Sequence, residues 1–500
     1  MQAATKHHKK KKKKLFSIQC EASILLLLVM MEDIANTVTI GATVPTGFEN
    51  SAVEEVQEKL GTTARVSKNR GKIYFDITTD ELRKVHLLKS LDNLFVVIKT
   101  YEDYQFKASM EEVNSDWKEL AAELPWTNAL EVWKLNNSIK KKKSHRNKNK
   151  SPKPDQKYDE SIGCNETVTS ELLPGSEEPE VKDNQTDVEQ KSEEEKSSEI
   201  QDPAAAVAPL KFRVTCSRAG DNHCFTSNDA AREFGGAVQE LFQWKADMTK
   251  FDVEVLLDIH DSEVVIAIAL TVESLHRRNI THFGPTTLRS TLAYGMLRLC
   301  KPQISDVIVD PMCGSGAIPL EGAMEWAMSF FLAGDNNGVA VSRSVSNVKH
   351  ILKKTHVEGS ASGLAMDVVQ WDLCNLPMRS SSVDIIVTDM PFGKRMGSKK
   401  KNWELYPQCL LEMARVCRPG TGKAVLLTQD KKSFTKALLQ MRGHWKKLPT
   451  VWVNVGGLNA GVFLLKRTAE VYGSTSKNAV DPQTANDFHK EGKEAGPQEA

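Results

Sequence analysis

The stretch D-V-I-V-D-P-M-C-G-S-G, Asp306 to Gly316, decides how the chain folds. Val307, Ile308 and Val309 form a short β-branched run of the kind a buried parallel strand requires, and Asp310 ends it where a glycine turn begins. The apolar stretch from Ala317 reads as a helix. Gly314 and Gly316 admit backbone to a distance from a ligand that any Cβ would forbid, so strand, turn and helix make a nucleotide-type pocket. Outward from this point, strand candidates recur at Phe330–Asp335, Met366–Trp371, Asp384–Thr388 and Ala424–Thr428, with room for crossover helices between them. Right-handed crossovers make these a doubly wound parallel α/β sheet. Val451–Val455 and Gly461–Lys466 flank G-G-L-N-A and read as an antiparallel terminal strand pair. An amphipathic helix, Thr287–Leu299, leads into the whole.

The first half reads differently. Strands at Thr37–Ala42, Gly71–Ile77 and Leu94–Lys99 alternate with helices at Gly47–Leu60 and Leu82–Leu91, an α+β sandwich. Trp117, Trp126 and Trp133 follow, and order is expected to stop at about Lys140. Residues 140–209 lack large apolar residues at any period and cannot bury enough surface to offset chain entropy. A strand from Lys211, a helix from Ser227 to Lys245 and strands at Asp252–Ile259 and Glu263–Leu270 complete an RNA-binding-like α+β unit. The expected segments are therefore a basic tail over 1–36, an N-terminal α+β region over 37–139, a charged insertion over 140–209, the rest of the RNA-binding unit over 210–275, the parallel-sheet domain over 276–467 and a polar tail over 468–500.

The 500 residues carry a net charge of +1 that averages basic blocks, Lys9–Lys14 and Lys140–Lys150, against the acidic Glu177–Asp202. Nine cysteines without a C-x-x-C pair argue against a disulfide framework or a zinc site and for a reducing compartment, so no metal is expected. Ile24–Met31 is an eight-residue apolar run. It is far short of the ~20 residues a membrane span needs, and it is read as neither a span nor an export signal.

On its own the glycine turn suits NAD or S-adenosylmethionine. D-P-M-C-G-S-G lacks the third glycine of G-x-G-x-x-G, which lowers the NAD reading. Asp335 ends the second strand about twenty residues on, where a carboxylate meets ribose hydroxyls, and Asp372 ends the third beside the adenine edge. Cys313 is expected to fill the tight turn and not to act as a nucleophile. The fourth strand runs into D-M-P-F, Asp389 to Phe392. A nucleobase amine becomes nucleophilic when acceptors hold its hydrogens, and the Asp389 carboxylate and the Met390 carbonyl are candidates; Pro391 stiffens the turn and Phe392 stacks on the base. Lys394, Arg395, Lys399, Lys400 and Lys401 follow, and Arg277 and Arg278 precede the domain, as candidate phosphate contacts.

H-F-G-P-T-T-L-R-S, D-P-M-C-G-S-G, A-G-D-N-N, Q-W-D and D-M-P-F-G-K-R together resemble the THUMP-domain class I methyltransferases that make N2-methylguanosine in tRNA, and the resemblance extends over roughly Val38 to Arg467 apart from the insertion. It implies a C-terminal class I, Rossmann-like methyltransferase fold behind an N-terminal ferredoxin-like and THUMP region. It implies that Asp310, Cys313, Gly314, Gly316, Asp335, Asn336 and Asp372 hold S-adenosyl-L-methionine and that Asp389, Met390, Pro391 and Phe392 hold the target base. It further implies a tRNA substrate gripped by its 3′ CCA end and a small zinc-binding activator subunit pairing with the edge strand near 366–371, while cysteine usage and the short apolar run give the expected setting as cytoplasmic with no membrane. The family pattern is N/D-P-P-F/Y; Met390 stands for its first proline, which keeps the carbonyl and puts loop rigidity in question. A methyltransferase of another RNA or DNA base amine, or a non-enzymatic RNA-binding protein, is the competing expectation.

Overall fold

A computed structural model describes residues 37–68, 71–148, 209–221, 223–357, 363–393 and 398–472. The expected basic tail, most of the charged insertion and most of the polar tail lie outside the described residues, as do Lys394 and Arg395.

The first half consists of β1 (Thr37–Thr43), α1 (Glu49–Leu60), β2 (Ala64–Val66), β3 (Lys72–Thr78), α2 (Leu82–Val85), β4 (Asn93–Tyr101), α3 (Met110–Glu123) and α4 (Trp126–Lys148), then β5 (Lys211–Ala219), α5 (Ser227–Phe242), β6 (Lys245–Ala246), β7 (Val253–His260) and β8 (Glu263–Ala269). All eight strands join in one sheet, ordered β2-β3-β1-β4-β8-β7-β5-β6. Antiparallel pairing of β4 with β8, from Phe95 opposite Ala269 to Tyr101 opposite Val264, therefore fuses the two stretches of chain that the insertion separates. Strand β8 is buried on both faces from Val264 to Ile268, whereas β7 alternates and buries Val253, Val255, Leu257 and Ile259. That difference separates a central strand from one with a single covered face.

Two helices depart from expectation. The predicted helix Leu82–Leu91 stops at Val85, because the Glu55 carboxylate takes the backbone N–H groups of Lys89 (2.9 Å) and Ser90 (2.8 Å) that a longer helix would have used. Helix α4 runs past Lys140, where composition ended the ordered part, to Lys148. Its buried face, Ala129, Val132, Trp133 and Asn136, provides the helix with a nucleus, and lysine then extends it at little cost in propensity.

The second half consists of α6 (Ser290–Cys300), β9 (Val307–Asp310), α7 (Ala317–Glu325), β10 (Phe330–Asp335), α8 (Gly338–Val357), β11 (Met366–Gln370), β12 (Ile385–Asp389), α9 (Lys399–Val416), β13 (Lys423–Thr428), α10 (Lys431–Gln440), β14 (Trp445–Val455) and β15 (Leu458–Arg467). Its sheet is ordered β11-β10-β9-β12-β13-β15-β14, parallel up to β13 and antiparallel at β15 and β14. The terminal pair is longer than its sequence pattern because β14 continues back through a bulge between Lys447 and Thr450. Helix α6, expected to be amphipathic, is buried almost all round, since it is wedged between the two halves. Phe48 packs so closely on Gly295 that a Cβ there would lie 2.7 Å from the ring.

The two halves are held by charge as well as by packing. Lys59 bridges Glu55 (2.8 Å) and Glu325 (2.6 Å), Lys89 reaches Glu325 (2.9 Å), Tyr294 donates to Glu325 (3.1 Å), and Arg298 forks onto Glu58 (2.7 and 2.9 Å). Lys59, Lys89 and Glu325 are largely withdrawn from water, so removal of one strands a partner, whereas the Arg298–Glu58 pair has its carboxylate in solvent and contributes less.

Candidate active site

The strand order reverses at β9, whose neighbours β10 and β12 lie on opposite sides, and ligands of such sheets bind beyond the strand ends at this point. Register brings three carboxylates there. Asp310 lies opposite Ala333, two residues before Asp335, and Ile386 beside Val309 carries β12 forward to Asp389.

In the glycine loop Gly314 and Gly316 have φ of 55° and 82°. A Cβ on Gly316 would meet Ser344 Oγ at 2.4 Å, while a Cβ on Gly314 would enter open space, the cradle the ligand needs. The Gly314 N–H donates to Asp335 Oδ2 (3.0 Å) and the Asn337 N–H to Asp335 Oδ1 (2.9 Å), so this carboxylate ties loop to strand. Cys313 N–H donates to Gly334 O (2.8 Å), and the Trp371 indole fills the space over Gly334 while donating to Pro311 O (3.2 Å). Burial pushes the Cys313 thiol well up, which leaves it a packing residue. Asp310 is 3% exposed, and burial raises it to about 7 although the Met312 amide and Thr388 pull the other way. Asn336 and Asp372 lie exposed at the ends of β10 and β11; the Asn336 carbonyl accepts from Gln370 (3.2 Å), and Asp372 Oδ1 accepts from the Cys374 N–H (2.9 Å).

The D-M-P-F loop is held from behind. Pro391 O accepts from Asn402 Nδ2 (3.0 Å) and from the Tyr406 hydroxyl (2.5 Å). Tyr406 also meets Thr428 Oγ1 (2.8 Å), and Asn402 donates to Asp430 Oδ2 (3.1 Å), the residue whose Oδ1 caps α10. With Pro391 O thus occupied, no donor among the described residues reaches Met390 O. Met390 itself answers the question of rigidity. Its N–H donates to Leu427 O (2.8 Å), a bond that the family's usual proline cannot make, and its side chain is 1% exposed in the core under the loop. Phe392 is half-buried against the apolar core that contains Ile318 and Val387.

Asp389 Oδ1 is buried without a hydrogen-bond partner among the described residues, and so are Asn402 Oδ1 and Gln429 Oε1. Buried acceptors are rarely left unpaired, and one at the end of β12, where the strand order reverses, marks a place for a donor that a ligand brings. Burial first, and the nearby Asp310 charge second, raise Asp389 to about 8.

The basic residues divide. Lys400 and Lys401 are exposed on the first turn of α9, which Ser398 caps, and the Lys399 side chain lies outside the described residues. Arg277 is exposed, its guanidinium 5.6 Å from the Phe283 ring. Arg278, expected to meet phosphate, turns inward instead: it donates to Glu321 Oε2 (2.9 Å) and Lys89 O (2.8 Å), because Glu321 is fully buried and requires a cation. Sequence reading missed the clamp of Asn402, Tyr406 and Thr428. It also missed Asn347, which accepts from the N–H groups of Thr281 (3.0 Å) and His282 (2.8 Å) and donates to Ser315 O (2.9 Å), stapling the H-F-G-P connector to the glycine loop.

With this geometry in view, comparison with known proteins is informative. Residues 277–460 match the RMKL-like methyltransferase domain family and residues 182–269 the THUMP domain family. The chain is 59% identical over 457 residues, 87% of its length and 89% of the relative's, to the Bos taurus tRNA (guanine(6)-N(2))-methyltransferase THUMP3. It is 30% identical over 409 residues, 77% of each chain, to the Bos taurus U6 snRNA (guanine-N(2))-methyltransferase THUMPD2. Among solved structures, TrmN from Thermus thermophilus superposes with a TM-score of 0.59 at 20% identity, covering 86% of this chain and 99% of that one, which establishes a common fold.

Proposed function

The chain belongs to the tRNA (guanine(6)-N(2))-methyltransferase THUMP3 family, and from that premise we propose that it methylates the exocyclic N2 of guanosine 6 in the tRNA acceptor stem, using S-adenosylmethionine while the THUMP half holds the 3′ CCA end. The observation that carries this reading is the buried, unpartnered Asp389 Oδ1 beside the unclaimed Met390 carbonyl.

Guanine presents hydrogens at N1 and at the N2 amine, whereas adenine presents an acceptor at N1. Unpaired acceptors such as Asp389 Oδ1 and Gln429 Oε1 suit the former. Asp389 and the Met390 carbonyl accept the two amine hydrogens, turning the nitrogen lone pair out of conjugation, and Phe392 stacks on the ring. The proton shed by the methylated amine passes to Asp389, whose raised proton affinity suits it to the task. The glycine cradle, Asp310, Cys313, Asp335, Asn336 and Asp372 would hold S-adenosylmethionine, which supplies a methyl group already activated by its cationic sulfonium.

Exposed Lys400 and Lys401 and the stacked Arg277 are the described cations assigned to RNA phosphates. The charge-paired junction between the halves acts as the ruler from CCA end to target base. Edge strand β11, with half-buried Val368 and Val369, has one side unpaired among the described residues and is the proposed seat of a small zinc-binding activator subunit. Among the described residues no helix is long and apolar enough to cross a membrane. Work in the cytoplasm accords with the free thiols of the described cysteines.

Labelled S-adenosylmethionine, unmodified tRNA and the protein, with and without the activator, test this. Digestion is expected to return label in N2-methylguanosine alone; label in another nucleoside would contradict the proposal.

A further inference from the structure

Two tryptophans stand exposed beside the catalytic pole in a setting that the active-site chemistry does not explain. Trp403 on α9 and Trp452 on β14 are each 47% exposed. A lysine of α10 lies over each ring, Lys436 at 4.2 Å from Trp403 and Lys431 at 3.9 Å from Trp452. Trp403 follows Asn402 and Lys431 follows Asp430, the two buried residues joined to each other behind Pro391. The surface pair is thus anchored one residue away from the clamp that fixes the catalytic loop.

Charge around the rings is mostly basic, Glu404 beside Trp403 on α9 being the acidic neighbour. Lys432 is exposed on the same helix, Lys400 and Lys401 begin α9, and neither α10 nor β14 contains an acidic residue. Among the described residues none of these lysines pairs with a carboxylate. Flat aromatic faces set among unpaired lysines are the composition of a single-strand nucleic-acid platform, in which bases stack and the backbone meets the cations. Exposed aromatic area of this kind is otherwise a liability on a protein surface.

We infer that Trp403, Trp452 and the α10 lysines form a stacking platform for the RNA strand next to the target guanosine. In the protein alone each lysine covers its ring. When RNA arrives the ammonium moves to phosphate and the ring accepts a base, an exchange favoured because base stacking on an exposed ring is stronger than an exposed cation–π contact. A guanosine in a helical stem must leave its stack to reach Asp389, and bases unstacked by that movement are what the platform takes. The inference rests on the RNA methyltransferase reading above.

The test uses the full chain and an unmodified tRNA transcript, with binding measured across a salt series and product nucleosides measured separately. Trp403→Ala and Trp452→Ala are each expected to weaken binding about tenfold with the salt slope unchanged. Trp403→Phe and Trp452→Phe should bind nearly as wild type. Lys431→Gln with Lys436→Gln should lower the slope of log K on log salt by about 1 to 2. All are surface changes, and unaltered thermal unfolding checks that the fold is kept. Wild-type affinity in both alanine variants would overturn the inference. Tryptophan-dependent binding with methyl in the wrong nucleoside would leave the platform standing and sink the guanosine reading; the correct nucleoside with tryptophan-independent binding would do the reverse.

Discussion

Asp389→Ala is expected to lower kcat/KM for methyl transfer by about 10²–10³-fold, the usual loss when a preorganised group facing the reacting atoms is removed. Asp389→Asn should lose less, because its amide oxygen still accepts one amine hydrogen. The two variants are further separated by pH. Burial, with the Asp310 charge behind it, raises Asp389 to about 8, so the accepting carboxylate is the minor form at neutral pH and becomes the major one as pH rises. Wild-type kcat/KM, which reports the free enzyme, is expected to climb with pH and level off above about 8, whereas Asp389→Asn should show no such inflection. Stability carries the opposite sign. A carboxyl whose folded pKa is raised contributes fully below its unfolded value of about 4, and that contribution is lost as pH climbs through its folded value. At about pH 9 Asp389→Asn should therefore unfold at a higher temperature than wild type, and a lower midpoint would argue that the group is not a buried charge.

Tyr406→Phe is expected to reduce kcat by about 10- to 100-fold with little change in KM for tRNA. Its hydroxyl spans Pro391 O (2.5 Å) and Thr428 Oγ1 (2.8 Å) and lies fully buried. Loss of that hydroxyl frees the turn carrying the Met390 carbonyl, and displacement of a positioning group by about 1 Å costs about 10² in rate. It also leaves Pro391 O with Asn402 as its remaining donor and the buried Thr428 hydroxyl without its acceptor, for a stability loss of about 1–3 kcal/mol. The grip on tRNA lies elsewhere, so a rise in KM with unchanged kcat would place Tyr406 outside the catalytic loop's support. Asn402→Ala, which removes the other donor to Pro391 O, should show the same kcat-weighted loss.

Legibility in the sequence followed the range of the interactions. Val307–Val309 and Phe330–Asp335 were readable as strands because burial on both faces requires continuous apolar runs, and the glycine turn between them because φ of 55° and 82° favours glycine. Crossover handedness fixes the side of each helix and not the order of the strands, so the position of β11 at an edge was legible only through the family resemblance. Asn402, Tyr406 and Asn347 were invisible because their partners are backbone carbonyls and amides that only the fold brings near, 11 residues away for Asn402 and 66 for Asn347. Arg278 misled because a basic residue beside the domain looks the same from sequence whether it faces phosphate or the buried Glu321. Pairing of β4 with β8 was hidden by the insertion between them.

In the proposed reaction, acceptors at the end of β12 activate the exocyclic amine of guanine. The most direct test is methyl transfer to a tRNA carrying inosine at the target position, which differs from guanosine only in lacking that amine. Guanosine tRNA is expected to be methylated, while inosine tRNA is expected to bind with similar affinity and to receive no methyl group at the target. Methylation of the inosine would contradict the proposed reaction.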